Sequence, residues 1–246
     1  MVRRKFREAF SIYRIHFRRI VAIVWSIYIP VNLITGYLEH ELLTAENRFR
    51  FMTIDIYLNA FFDPICTGAV IHLLLCDKIS RTTGYFRTMW MGLREGFGIL
   101  VARLVAGLFI LAGLCCFLFP GILLIVRYSL IDSIVVLEKA GQATARRRSS
   151  LLTRNHKWAI LRVQLILLAG SLLLPILLEL PAVHFESLHL PLVSVVTDCV
   201  LELFYPFATI VLFLFYWEAK SDVGRPKEGS IERVPRSPVL HDTEMK

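Results

Sequence analysis

Charged residues are scarce in this sequence. Asp, Glu, Lys and Arg make up 20% of the 246 residues, hydrophobic residues make up 56%, and the mean hydropathy is +0.59. An average soluble domain is about one quarter charged, and a chain of this size with less charge has too little polar surface to cover a globule. The composition therefore argues against a large soluble α-domain and favours an integral membrane protein.

Motifs that carry catalytic or metal chemistry are also missing. The sequence contains no Gly-rich phosphate loop and no nucleophile beside an obvious base. The stretch beginning at His40 starts like the zinc motif HExxH, but Thr44 stands where the second His belongs. His184, Glu186 and His189 are close in sequence, yet their spacing places the two imidazoles on different faces of a helix. We therefore expect no enzymatic activity, no metal and no cofactor.

The cysteines do not have the spacing of a disulfide or redox site. All five lie within or at the ends of apolar runs, and none forms a C-x-x-C pair. We predict that they are small buried apolar side chains rather than a disulfide framework. They are Cys66, Cys76, Cys115, Cys116 and Cys199.

The apolar residues are grouped in runs of about 17 to 25 residues, the length needed to cross a hydrocarbon core of about 30 Å as a helix. This pattern predicts an all-α polytopic membrane protein with about six transmembrane helices in a domain covering residues 20–218. The predicted spans are 20–38, 56–76, 97–119, 121–137, 159–180 and 192–217.

The distribution of Lys and Arg predicts the orientation of the spans, because these residues stay on the cytoplasmic side of short loops. The segments before span one, between spans two and three, and between spans four and five are rich in Lys and Arg. In contrast, residues 181–191 contain neither. Both termini are therefore predicted to be cytoplasmic, with an amphipathic segment at residues 1–19 and a disordered tail at residues 219–246.

Basic residues seven positions apart precede each odd-numbered span, as in the pairs Arg7 and Arg14, Arg87 and Arg94, and Arg147 and Arg154. This spacing puts each pair on one face of an interfacial amphipathic helix and fits a threefold repeat of helical hairpins. It fits equally well the ordinary basic flank of an inner-leaflet helix. The candidate lipid contacts are Arg7, Arg14, Arg87, Arg94, Arg146, Arg147, Arg148 and Arg154.

The net charge of +8 first suggests an anionic partner. The basic residues are spread over the predicted inner loops, and no zinc, helix-turn-helix or RNA-binding signature accompanies them. We therefore predict contacts with anionic lipids and not with nucleic acid. Other membrane proteins, or a second copy of the chain, remain candidate partners.

One stretch, residues 119–158, contains a motif made of Pro120, Gly121, Glu138, Ala145, Ser149, Leu152 and Trp158. With this motif, the stretch resembles the YciC-like bacterial membrane family and the related membrane domain of some glycerophosphodiester phosphodiesterases. The resemblance implies an inner-membrane protein with six spans and a packing motif, and little about activity. Arg146 departs from the pattern, because the family usually has an apolar residue there.

Charges inside the spans are the strongest hint of function, because an unpaired ionisable group at membrane depth costs several kcal/mol. Asp63, Arg127 and Asp198 each lie six or seven residues into an even-numbered span, and Glu202 is one helical turn beyond Asp198. We predict that these four residues form one cluster, bridged by Arg127. A closed cluster would indicate a membrane-organising, envelope-maintenance or partner-binding protein, whereas a water-filled cluster would indicate a small permease or permease-like subunit.

Overall fold

The computed structural model describes residues 2–42, 48–184 and 197–224 of the chain. These residues are helical almost throughout, and they contain no β-strand. The all-α prediction is therefore confirmed. The helices are α1 (Val2–Leu42), α2 (Arg48–Lys78), α3 (Tyr85–Cys116), α4 (Leu118–Tyr128), α5 (Ile131–Glu138), α6 (Gln142–Thr153), α7 (Lys157–His184), α8 (residues 197–201 of the described range) and α9 (Phe204–Gly224).

Six helical stretches of the described residues are long and apolar enough to cross a membrane, which agrees with the six predicted spans. The fourth span combines α4 and α5, separated by a turn at residues 129–130. The sixth combines α8 and α9, separated by a turn at residues 202–203. The chain is therefore a multi-pass membrane protein. The six stretches are Val2–Leu38, Ile56–Lys78, Tyr85–Cys116, Pro120–Glu138, Lys157–Leu178 and Thr197–Asp222.

Two predicted boundaries differ from the structure. The segment at residues 1–19 is not a separate element, because α1 continues without a break into the first span and through Pro30. The proposed tail begins too early, because α9 is helical as far as Gly224. An amphipathic helix and an apolar helix can share one continuous backbone, so a change in composition does not require a helix end. Residues 225–246 lie outside the described part.

Close packing of α2 against α3 depends on three glycines. A Cβ atom on Gly92 would lie 2.7 Å from the Ala69 Cβ and 2.7 Å from the Ile65 carbonyl oxygen. One on Gly96 would lie 2.9 Å from the Ile65 side chain, and one on Gly68 would lie 3.2 Å from the Gly92 carbonyl oxygen. Small residues four positions apart allow helix backbones to approach closely, which is a common basis of helix association in membranes.

The spans differ in how much of their surface is covered by protein. Half of the most apolar 18-residue segment of α2 is buried, at 50%. Only 17% of the corresponding segment is buried in α3 and in α7. The most buried large side chains include Tyr28 of α1 and Phe213, Phe215 and Tyr216 of α9. α1, α2 and α9 therefore supply much of the protein core, while α3 and α7 present leucine-rich faces suited to lipid contact.

The cysteines follow the prediction only in part. Cys66, Cys76 and Cys199 are buried, but Cys115 and Cys116 are exposed at the end of α3. These two residues lie where α3 ends, beyond the neighbours that cover the middle of the helix. Their burial was therefore wrongly predicted from the apolar run alone.

Candidate functional site

Arg103 of α3 is at the centre of a polar cluster that joins three membrane-spanning helices. Its Nη2 atom lies 2.7 Å from Asp132 Oδ2 of α5, and its Nε lies 3.1 Å from the same oxygen. Its Nη1 pairs with Asp63 of α2, and Nη2 also donates to the Thr67 hydroxyl at 3.1 Å. One guanidinium therefore connects α2, α3 and α5 through all three of its nitrogen atoms.

The cluster is only partly covered by protein. The side chains of Arg103, Asp63 and Asp132 keep 35%, 30% and 23% of their surface exposed, whereas Thr67 is buried. Tyr28 of α1 extends the cluster, since its hydroxyl lies 3.5 Å from Asp63 Oδ1. A fixed fork of donors that meets two carboxylates in defined directions specifies how the three helices pack.

The predicted bridge by Arg127 is wrong. The Arg127 side chain lies at a different surface, where its Nε donates to the Ser150 hydroxyl of α6. Its backbone carbonyl accepts a hydrogen bond of 2.7 Å from Ser149. Equal depth in a span does not place residues on facing sides of their helices, and α4 turns this residue toward α6 rather than toward α2.

The two acids of the last span are placed differently from each other. Glu202 is half-buried. Asp198 is exposed, and its carbonyl accepts the Glu202 backbone N–H at 2.9 Å. The place of Asp198 and Glu202 in one cluster with Asp63 stays a prediction.

Sequence reasoning missed Arg103 and Asp132. Both are ionisable residues inside predicted spans, so the rule that flagged Asp63 applies equally to them. The predicted cluster included only residues at equal depth in the even-numbered spans, and Arg103 lies in the third span. A search of every span for opposite charges would have found Arg103.

A second polar network surrounds Glu138, one of the residues of the family-like motif. Its carboxylate accepts a hydrogen bond of 2.9 Å from the Tyr216 hydroxyl and pairs with Arg148 at 3.3 Å and with Lys220 at 3.6 Å. These contacts join the end of α5 to α6 and α9. Arg148 was predicted to contact lipid, and the structure shows that it also has this role within the protein.

The other motif residues divide into a buried set and an exposed one. Ala145, Ser149 and Leu152 are buried on one face of α6, as their spacing predicts. Trp158 is 74% exposed, so it does not share in this packing. Pro120 and Gly121 lie in the first turns of α4 rather than in a loop, and a Cβ on Gly121 would clash with Leu114 at 2.3 Å.

Polar contacts also fix the first half of α1 to neighbouring helices. Lys5 is buried and contacts Glu218 of α9 at 3.0 Å and the Leu214 carbonyl at 3.3 Å. His16 pairs with Asp77 of α2 at 2.9 Å. The basic segment before span one therefore packs against protein as well as carrying exposed arginines.

Most of the candidate lipid contacts are accessible. Arg146 and Arg148 are half-buried, and the Arg146 guanidinium lies 4.9 Å from the centre of the Phe109 ring. A cation over an aromatic face is attracted by the ring quadrupole. The exposed members of the set are Arg7, Arg14, Arg87, Arg94, Arg147 and Arg154.

The metal hypotheses fall largely outside the part of the chain that the structure describes. Glu186 and His189 lie outside it altogether, and the side chains of His40 and His184 are not described either. Among the residues that the structure describes, no group of three His, Cys, Asp or Glu side chains is arranged to hold a metal ion.

Comparison with known proteins yields no relative. No family model matches the chain, and neither a curated protein nor a solved structure is similar to it. The functional argument therefore depends on the residues and their geometry, and the YciC-like resemblance stays a prediction.

Proposed function

We propose that this protein is a non-catalytic component of the bacterial inner membrane that organises the membrane, maintains the envelope or binds a membrane partner. The observation that carries the proposal is the set of contacts that engages all three nitrogen atoms of the Arg103 guanidinium. Its Nε and Nη2 donate to Asp132, Nη2 also donates to Thr67, and Nη1 pairs with Asp63. A guanidinium with its donors engaged on three helices serves better as a structural tie than as a moving ion or proton carrier.

The family-like resemblance supports the same proposal, since it implies an inner-membrane protein. The leucine-rich faces of α3 and α7 support it as well. Leu108 of α3 and Leu173 of α7 are 67% and 64% exposed, and such faces can contact lipid or the spans of a partner.

A permease is the second candidate, and one observation favours it. Arg103 and Asp63 keep about one third of their side-chain surface exposed at membrane depth. If water rather than lipid or a partner reaches this surface, the cluster lines a path for a substrate or a proton.

Accessibility of a cysteine beside Arg103 distinguishes the two candidates. Thr67→Cys is suitable, because Thr67 touches Arg103 and the substitution nearly conserves its size. It would be made in a chain in which the five native cysteines are replaced by Ala. The reagent is a membrane-impermeant maleimide, applied to right-side-out and inverted vesicles.

We expect Thr67→Cys to be protected in both kinds of vesicle. The matched control is Ser80→Cys, which lies at an exposed position between α2 and α3 and should react from one side. Rapid labelling of Thr67→Cys from either side would contradict the structural proposal and support a permease. Reaction with a permeant maleimide after detergent treatment confirms that the thiol is present.

A further inference from the structure

A groove of about 540 Å³ lies between α4, α6 and the beginning of α7. It is separate from the Arg103 cluster. Arg127 of α4, Arg154 just after α6 and Lys157 at the start of α7 line the groove. Leucines from α4 and α6 line it as well, so the groove combines a strongly basic part with an apolar part.

The charge of the groove is unbalanced. Three cationic side chains line it, and no Asp or Glu is among its described lining residues. Arg127 belongs to the fourth membrane-spanning stretch, where its side chain donates to the neutral hydroxyl of Ser150. A cation at membrane depth needs a counter-charge, and here an anionic group bound in the groove would supply it.

The apolar part is exposed enough to contact a hydrocarbon chain. Leu123, Leu124 and Arg127 lie on one face of α4, because residues three and four positions apart share a face. Leu123 is 44% exposed and Leu151 of α6 is 60% exposed, and both line the groove. The apolar residues of α4 thus lead directly to the basic ones.

We infer that this groove binds a phospholipid with an anionic headgroup. Its phosphate contacts Arg127, Arg154 and Lys157, and one acyl chain lies along Leu123 and Leu151. Charge complementarity selects an anion, and the adjoining leucines favour a lipid over a free phosphate. Basic pockets between transmembrane helices are known to hold such headgroups. The inference deepens the proposed function by naming a ligand, and it needs only that the chain spans a membrane.

The test measures lipid binding to the purified full-length chain in a neutral detergent. Phosphatidylglycerol and phosphatidylcholine of equal chain length would be titrated, with native mass spectrometry as the readout. Glycerol phosphate would serve as the headgroup alone. We expect phosphatidylglycerol to bind in preference to phosphatidylcholine, and glycerol phosphate not to compete at matched concentration.

Two variants test the two parts of the groove. The triple variant Arg127→Gln, Arg154→Gln and Lys157→Gln should weaken phosphatidylglycerol binding roughly 100-fold, since each basic residue near an anionic lipid contributes about fivefold. Leu151→Trp should fill the apolar part and also weaken binding, although every charge is retained. Gel filtration checks that both variants remain folded.

A matched control removes the same charge elsewhere. Arg18→Gln, Arg81→Gln and Lys139→Gln lie at exposed positions outside the groove and outside the set of candidate lipid contacts, and they should leave the selective binding intact. Equal loss in the control would mean diffuse attraction and would overturn the inference. So would unchanged binding in the groove variants, or full competition by glycerol phosphate. None of these results bears on the Thr67→Cys test, so the two proposals fail separately.

Discussion

The Arg103 guanidinium of α3 lies 2.7 Å from the Asp132 carboxylate of α5, while the same side chain also pairs with Asp63 of α2. This arrangement ties the third span to the second and to α5, the second part of the fourth. Both acids depend on one cation, so removal of Arg103 leaves two carboxylates without their cationic partner. Removal of either acid instead leaves Arg103 paired with the other acid.

Replacement of Arg103 by Gln should therefore destabilise the protein strongly. Breaking a fully buried pair typically costs 3–5 kcal/mol, and the one-third exposure of this cluster reduces the expected loss to about 2 kcal/mol. The measurement is reversible unfolding in mixed micelles. Arg87→Gln, at an exposed position of the same helix, is the control and should change stability by less than about 0.5 kcal/mol. Equal stability of the two variants would contradict the role assigned to Arg103.

Gly92→Ala should separate α2 from α3. The added Cβ would lie 2.7 Å from the Ile65 carbonyl oxygen, which cannot move without moving the α2 backbone. We expect a loss of about 1–3 kcal/mol in unfolding free energy, as for other overpacked sites. Gly107→Ala is a matched control on α3, because nothing lies within 4 Å of its added Cβ. The prediction fails if the two alanine variants unfold alike.

Tyr216→Phe should loosen the attachment of α9 to α5. The substitution removes the hydroxyl that donates to Glu138 at 2.9 Å and leaves the aromatic ring in place. The expected loss is about 1.5–3 kcal/mol, the usual range for a hydrogen bond to a charged group. Thermal unfolding in detergent measures it. Tyr37→Phe removes a hydroxyl from a side chain that is 67% exposed, and it should have no comparable effect.

Reporter fusions test the predicted orientation. Fusions after Cys76, Leu137 and Lys246 should give cytoplasmic activity, and fusions after Leu38 and Leu180 should give periplasmic activity, because Lys and Arg concentrate in the segments predicted to be inside. Paired cytoplasmic and periplasmic reporters at each site provide the control. Periplasmic activity at Lys246 would contradict the cytoplasmic C-terminus.

The number and approximate limits of the spans could be predicted from the sequence. Hydrocarbon thickness sets the length of an apolar run, and unpaired backbone groups in lipid require the run to be helical. The buried face of α6 was equally predictable, because Ala145, Ser149 and Leu152 follow the helical repeat. These are local properties that depend only on residues close together in the chain.

The partners of the intramembrane charges were decided by tertiary structure. The sequence identified Asp63 and Arg127 as costly residues at membrane depth, but only helix packing determined that Asp63 meets Arg103 and that Arg127 meets Ser150. The rotation of each helix about its own axis selects the partner, and this rotation depends on contacts such as Gly92 against Ile65. A one-residue change of register turns a side chain by about 100°, so equal depth alone could not identify the bridging arginine.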